Sequence, residues 1–336
     1  MKLRMLFPLL PVIFLISCGE WIPHEDGHSS EQMMESAEHR SDETINVAQL
    51  IGDDVQAAFD YFGNPTDSGP SGYHYEWHIF NQNSEGYVQI GHADEKIVTV
   101  FILGEKILNG SLAVGKSYNE IRELAAIKES IKVKDNGGEY RFDLSKNDLL
   151  ERPLIQLADD TFAQLYFDRF LNQLVGVRLL DKQTLLAHRP YRMVYRGELK
   201  EMSEPNKTCK KEIEQMNTKQ IFYITNALRE RYGKSKLEWN DEVAEAAFLH
   251  SKDMKMNQYF DHESPTNGDL ENRLKRNDVD YLLAGENIAA EYPDGIAAVM
   301  GWLNSEGHRE TMFHDEFTHL GVGVYDNHYT QNFVAK

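Results

Sequence analysis

The chain has 336 residues, 41% of them hydrophobic and 26% charged, a composition that suits about two globular domains and excludes a mostly disordered, collagenous or polytopic membrane protein. Lys and Arg number 35 against 54 Asp and Glu, a formal charge of -19, so the basic surface that nucleic-acid binding requires is lacking and no nucleic-acid partner is expected. Two cysteines build neither a disulfide framework nor a four-cysteine zinc site.

The N-terminus carries Lys2 and Arg4, then an apolar run from Leu6 to Ile16 interrupted by Pro8 and Pro11. The run is short of the ~20 residues a spanning helix needs and fits the h-region of a secretory signal. It ends Leu15-Ile16-Ser17-Cys18-Gly19, which resembles the bacterial lipobox. That resemblance implies a lipoprotein signal peptide over 1–17 and lipid attachment at Cys18, hence an outer-face, membrane-anchored, extracellular protein. Residues 18–44 are polar and acidic without hydrophobic periodicity and read as a solvated tether.

Residues 45–196 read as an α+β domain with an internal duplication of a helix plus a small antiparallel sheet. The first unit has a helix carrying Val55, Phe59 and Phe62 that ends at Gly63-Asn64-Pro65. Strands are expected at Tyr73–Trp77, Gly86–Ile90 and Lys96–Phe101. The second unit has a helix carrying Ile121 and Leu124, then strands at Tyr140–Phe142, Phe162–Phe167 and Gln173–Leu179. Each unit alone is small, and two side by side would bury a common core. The charged stretch 197–216, with Pro205 and the Lys207-Thr208-Cys209-Lys210-Lys211 cluster, reads as a linker.

The last part, 217–335, is predicted to open with a helix whose Ile221, Ile224, Leu228 and Tyr232 share a face, with Gly233 at its end. Asn240 suits the N-cap of a second helix. A third helix runs from about Pro293 through Trp302, and strands at Leu320–Val324 and Tyr329–Phe333 close the domain, an α/β layered arrangement.

Five motifs occur in order here: His250-Ser251-Lys252-Asp253-Met254, Tyr259-Phe260-Asp261-His262-Glu263-Ser264-Pro265, Ala284-Gly285-Glu286-Asn287-Ile288, Trp302-Leu303-Asn304-Ser305-Glu306-Gly307-His308-Arg309 and Thr318-His319-Leu320-Gly321-Val322-Gly323-Val324. Together they resemble a CAP domain, that of the cysteine-rich secretory protein, antigen 5 and pathogenesis-related superfamily, in its bacterial branch. Glu76-Trp77 and Tyr87-Val88-Gln89-Ile90-Gly91 resemble the N-terminal domain that accompanies CAP domains in some Bacillus-type lipoproteins. The resemblance implies an α-β-α sandwich for 217–335 and a cleft lined by two histidines and two acids. These fall on His262, Glu286 and His308; the second acid of the eukaryotic pattern is Ser305 here, with Glu306 next to it as a replacement candidate.

Two imidazoles and a carboxylate can hold Zn²⁺ with an open position for water, which makes His262 and His308 candidate metal ligands, or can position water without a metal. No G-x-S-x-G elbow supports Ser305 as a nucleophile. His250 and Trp302 read as core residues, His319 as packing at a strand entrance, and Arg309 as partner to a carboxylate of the protein itself. The leading expectation is a non-enzymatic, membrane-anchored binding module for an envelope lipid, wall fragment or protein partner, needing no cofactor. The alternatives are a hydrolase of peptide or wall substrate using His262, Glu286 and His308, and a scaffold whose N-terminal domain binds the partner.

Overall fold

Local signals set the helix starts. In this computed structural model, which describes residues 49–81, 86–104, 112–199 and 205–336, α1 (Val55–Phe62) begins where Asp54 accepts from the Gln56 N–H and ends at Gly63, whose φ of 79° only glycine adopts at low cost. Four strands follow: β1 (Asp67–Pro70), β2 (Glu76–Phe80), β3 (Tyr87–Ala93) and β4 (Lys96–Leu103). After them, α2 (Tyr118–Leu124) opens with a Ser117/Glu120 capping box. Next come β5 (Ser130–Asp135), β6 (Gly138–Asp143), α3 (Lys146–Glu151), β7 (Leu154–Ala158), β8 (Thr161–Asp168), β9 (Gln173–Asp181), α4 (Lys182–His188) and β10 (Arg192–Arg196).

The two expected small sheets are one. β4 pairs antiparallel with β9, Ile102 opposite Val177, so that a seven-stranded sheet runs β1-β2-β3-β4-β9-β8-β7. The duplication is not carried through, because β5, β6 and β10 form a separate three-stranded sheet with no counterpart in the first half among the described residues. The first expected strand also lies later, at β2: His74 has φ 59° and the Tyr73–Tyr75 segment turns instead.

The stretch read as a linker is in half its length helix. α5 (Lys207–Arg231) is 25 residues long, capped by Asn206, and it buries Cys209 and Met216 before reaching Ile221, Ile224 and Leu228. Charge clustering there marks the exposed side of a helix, not an extended connector. β11 (Glu238–Trp239), α6 (Asp241–Asn257, N-cap Asn240), α7 (Leu270–Arg276), β12 (Leu283–Ala290), α8 (Gly295–Leu303), α9 (Glu306–Met312), β13 (His319–Tyr325) and β14 (His328–Ala335) complete the chain.

The second sheet runs β11-β13-β14-β12. Strand periodicity assigns its faces. Leu320, Val322 and Val324 of β13 join the core with α5 and α8, while Gly321 and Gly323 turn to α6. A Cβ on Gly323 would lie 1.9 Å from the Phe248 nitrogen, so the α6 backbone rests directly on β13. Helices on both faces make the α-β-α sandwich.

The seven-stranded sheet also has two buried faces. One packs Ile90, Val100, Ile102, Val177 and Leu179 against α1 and α2. The other places Tyr75, Trp77, Tyr87, Phe101 and Tyr166 in one continuous core with α5 and α8. A buried ion pair crosses that boundary: an Arg178 guanidinium nitrogen lies 2.7 Å from an Asp294 oxygen, with the two side chains 1% and 6% exposed. Burial alone would lower the Arg178 pKa, but Asp294 beside it holds it above its ordinary value.

Candidate functional site

β12 is an edge strand, and three segments converge on it. Glu286, at its middle, pairs in register with Asn332 of β14 and points to the α6 side. Its side chain is 4% exposed, and both oxygens are occupied. Oε1 accepts from or shares a proton with His262 Nδ1 at 2.9 Å, and Oε2 accepts from an Arg273 N–H at 2.6 Å. With its amide turned, Asn332 also donates to Oε2, at 3.0 Å.

Arg273 is a clamp for this corner. It sits on α7, which Asp269 starts by accepting from the Asn272 N–H, and it also donates to the His262 and Gly268 carbonyls at 2.7 and 2.9 Å. One buried cation thus fixes the loop that carries His262 and the carboxylate that orients its ring. His250, from α6, lies below, 0% exposed, with Nε2 3.1 Å from the Asp261 carbonyl and 3.9 Å from Glu286 Oε1. Burial lowers its pKa, against the pull of Glu286. The reading of His250 as a hydrogen-bonded core residue fits this place.

His308 enters from the other side on α9. Ser305 is the N-cap of that helix by backbone geometry, yet its hydroxyl makes no capping bond and meets His308 Nδ1 at 2.8 Å instead. Asn287, the neighbour of Glu286 on β12, donates to the His308 carbonyl at 3.0 Å. Glu306 is exposed on the first turn of α9 and is joined to none of His262, Glu286 or His308. Ser305, not Glu306, is the residue that meets the second histidine.

The two imidazoles are held differently. The hydrogen bond to Glu286 raises the pKa of His262, whose side chain is 56% exposed. Partial burial lowers that of His308, and the nearby His262 charge lowers it further. The two shifts run in opposite directions, so His262 takes a proton before His308. Each has Nδ1 engaged by an oxygen, so that Nε2 is the atom left for a visitor.

As a resident zinc centre the donor set falls short. Such sites use three or four protein ligands, Glu286 is spent on His262 and Arg273, and among the described residues no group of three or more His, Cys, Asp or Glu is placed to hold a metal ion. His262 and His308 remain as two imidazoles without a third donor.

The comparisons agree with this architecture. Residues 51–191 match the family model for a CAP-associated N-terminal domain and 222–336 that of the cysteine-rich secretory protein family. The chain is 38% identical to the uncharacterized membrane protein YlbC of Bacillus subtilis (strain 168), over 97% of each. It belongs to the CAP family. Within that family, the uncharacterized protein YkwD of the same strain is 38% identical over 120 residues, 35% of this chain and 47% of that one. A crystal structure of an extracellular SCP-domain protein from Bacillus anthracis str. Ames is 41% identical with a TM-score of 0.83, covering 94% of this chain and all of that one. A cysteine-rich secretory protein from Staphylococcus aureus, 24% identical with a TM-score of 0.75 over 86% of this chain and 92% of that one, shares the fold.

The remaining residues singled out by the motifs fall as follows. Trp302 is 2% exposed and donates from Nε1 to the Ile288 carbonyl at 2.9 Å, a core residue. Arg309 meets the carboxylate of Asp168 at 2.8 Å, across the domain boundary. His319 shares a hydrogen bond with the Thr318 hydroxyl. Cys18, the signal and the tether lie outside the described residues, among which no helix is long and apolar enough to cross a membrane. Arg273 and Asn332 belong to the site without standing out in the sequence; the Gly268-Asp269 pair ahead of Leu270 and Leu274 is the available signal for the helix that carries Arg273.

Proposed function

We propose that this CAP-family protein is a non-enzymatic binding module whose cleft, between His262 and His308, takes an acceptor-rich group of an envelope ligand, a wall fragment or lipid headgroup. The observation that supports the reading is the way the two rings are held: Glu286 and Ser305 each engage one Nδ1, which leaves both Nε2 atoms for a ligand. The recognition groups are then the Nε2 edges of the two rings, with the charged form of His262 stabilised by its hydrogen bond to Glu286. An anionic or carbonyl-bearing ligand suits that pair. The hydrolytic alternative would use the same Nε2 atoms as acid and base, so turnover is what separates the two readings. The scaffold alternative loses its simplest surface, because the aromatic face of the seven-stranded sheet is buried against α5 and α8.

Lipid attachment at Cys18 would keep the cleft at the outer face of the membrane. The lipobox-like run and a relative called a membrane protein support this, as does a structural neighbour described as extracellular. The test uses the whole mature chain, since a fragment starting at 217 would cut α5 and bare its interface. Soluble wall fragments and anionic-lipid vesicles are titrated against wild type and His262→Ala/His308→Ala, with the products analysed by mass spectrometry. Binding lost in the double variant without turnover supports the reading. Turnover that the double variant abolishes overturns it in favour of the hydrolase.

A further inference from the structure

α9 is seven residues long, and its N-cap side chain bonds His308 instead of an orphan backbone N–H. A helix this short does not hold its own conformation in water. Its first turn is held by Asn287 of β12, which donates to the His308 carbonyl at 3.0 Å, and by the other domain. The Asn304 side chain, just before that turn, donates to the Phe167 carbonyl at 2.7 Å and accepts from the Arg169 N–H at 3.0 Å. Arg309, just after His308, places its guanidinium 2.8 Å from Asp168. All three partners lie at the end of β8 or in the turn that follows it.

Asp168 is the centre of the grip. It is 0% exposed and both oxygens are engaged: one accepts from the Phe170 and Leu171 N–H groups at 2.9 and 3.1 Å, and the other accepts from the Tyr232 hydroxyl at 2.6 Å and lies 2.8 Å from an Arg309 guanidinium nitrogen. The first two bonds shape the turn, and the Tyr232 bond with the Arg309 ion pair ties it to α5 and α9. The Arg309 guanidinium also lies 5.1 Å from the ring centres of Phe170, Tyr232 and Phe313, a three-sided aromatic cage that fixes its direction. The turn Ser305–His308 is therefore held at both ends by an element of the N-terminal domain that acts on the His308 ring at one remove.

We infer that Asp168 is a positioning residue for the CAP cleft: through Arg309, and with Asn304, the N-terminal domain sets where α9 presents His308. This rests on the reading of His262 and His308 as one binding cleft, but its test needs no ligand. The N-terminal domain then contributes to the site through the placement of α9.

The test measures carbethoxylation of each histidine by diethyl pyrocarbonate, on the full mature chain at fixed pH, by peptide mass spectrometry. In Asp168→Asn, which keeps shape and removes the charge, the His308 rate should rise several-fold relative to His262, with His74 and His319 unchanged. Arg309→Lys, which keeps a cation beside Asp168 without the planar fork, should give a smaller rise of the same ratio. An unchanged ratio in both variants, or an equal rise at every histidine, overturns the inference and leaves Asp168 as a stabilising contact only. Failure of the cleft reading is separate: there, His262→Ala and His308→Ala would leave the binding of wall fragments and vesicles untouched while the modification ratio still moves.

Discussion

Two buried arginine–carboxylate pairs anchor this molecule, and they serve different ends. Arg178 and Asp294 sit among Tyr75, Trp77 and Tyr166, 1% and 6% exposed, with the guanidinium 5.5 Å from the Trp77 ring centre. Nothing titratable and exposed hangs from them. Arg273 and Glu286 are each 4% exposed, but Glu286 also holds the half-exposed His262. The first pair joins two domains; the second aims a ring at solvent. Burial and charge pairing alone do not separate a structural bond from a site. The presence of an accessible group oriented by the pair does.

The two pairs part further when each is broken. Arg178→Met leaves Asp294 buried and uncompensated, and should cost about 3–5 kcal/mol in urea unfolding. Because the core is continuous, the two domains should still unfold in one transition; separate transitions would show that the boundary is weaker than its packing indicates. Arg273→Met should cost less, about 3 kcal/mol, because the corner it clamps lies at an edge strand. It should also move His262: the Arg273 charge lowers the His262 pKa, so its loss raises the ring further, whereas Arg178→Met leaves it in place. Histidine Cε1–H resonances followed against pH report both.

Glu286→Gln acts on the same ring in the opposite direction. In the wild type, the raised pKa means that His262 adds stability in full below its unfolded value of about 6.5, lost as pH rises through the folded value. Glu286→Gln should flatten that part of the stability–pH curve, and a curve unchanged by the substitution would break the link between the two residues. The smallest effect is expected at Glu306. As it is exposed and outside the constellation, Glu306→Gln should alter stability by no more than about 0.5 kcal/mol and leave the His308 resonance where it is.

Long periodic elements are legible in the sequence. Ile221, Ile224 and Leu228 mark α5, and Asn240 marks the start of α6, because helix faces and caps are written within a few residues. The helix C-terminus at Gly63 is legible for the same reason. β12 is not: Leu283–Ala290 mixes half-buried and buried positions without alternation, since it is an edge strand crossed by a loop and by α9. The cleft positions His262, Glu286 and His308 are reachable through family motifs. Arg273 is not, because its role depends on a short helix placing it against a strand from another segment. Arg309 reads as the partner of an internal carboxylate, but only the fold supplies Asp168 as that carboxylate.

The glycines of β13 carry a consequence for how far this domain can drift. With a Cβ on Gly323 meeting the Phe248 nitrogen at 1.9 Å, and one on Gly321 meeting the Ala244 nitrogen at 2.2 Å, helix and strand have no clearance between them. His250 lies on the same helix, two residues past Phe248, and reaches Glu286 from there. A single methyl group at either glycine would act as a wedge, lifting α6 and withdrawing the floor beneath His262. The tolerance of the cleft is therefore set in part by two positions two strands away from Glu286, on the same face of the sheet.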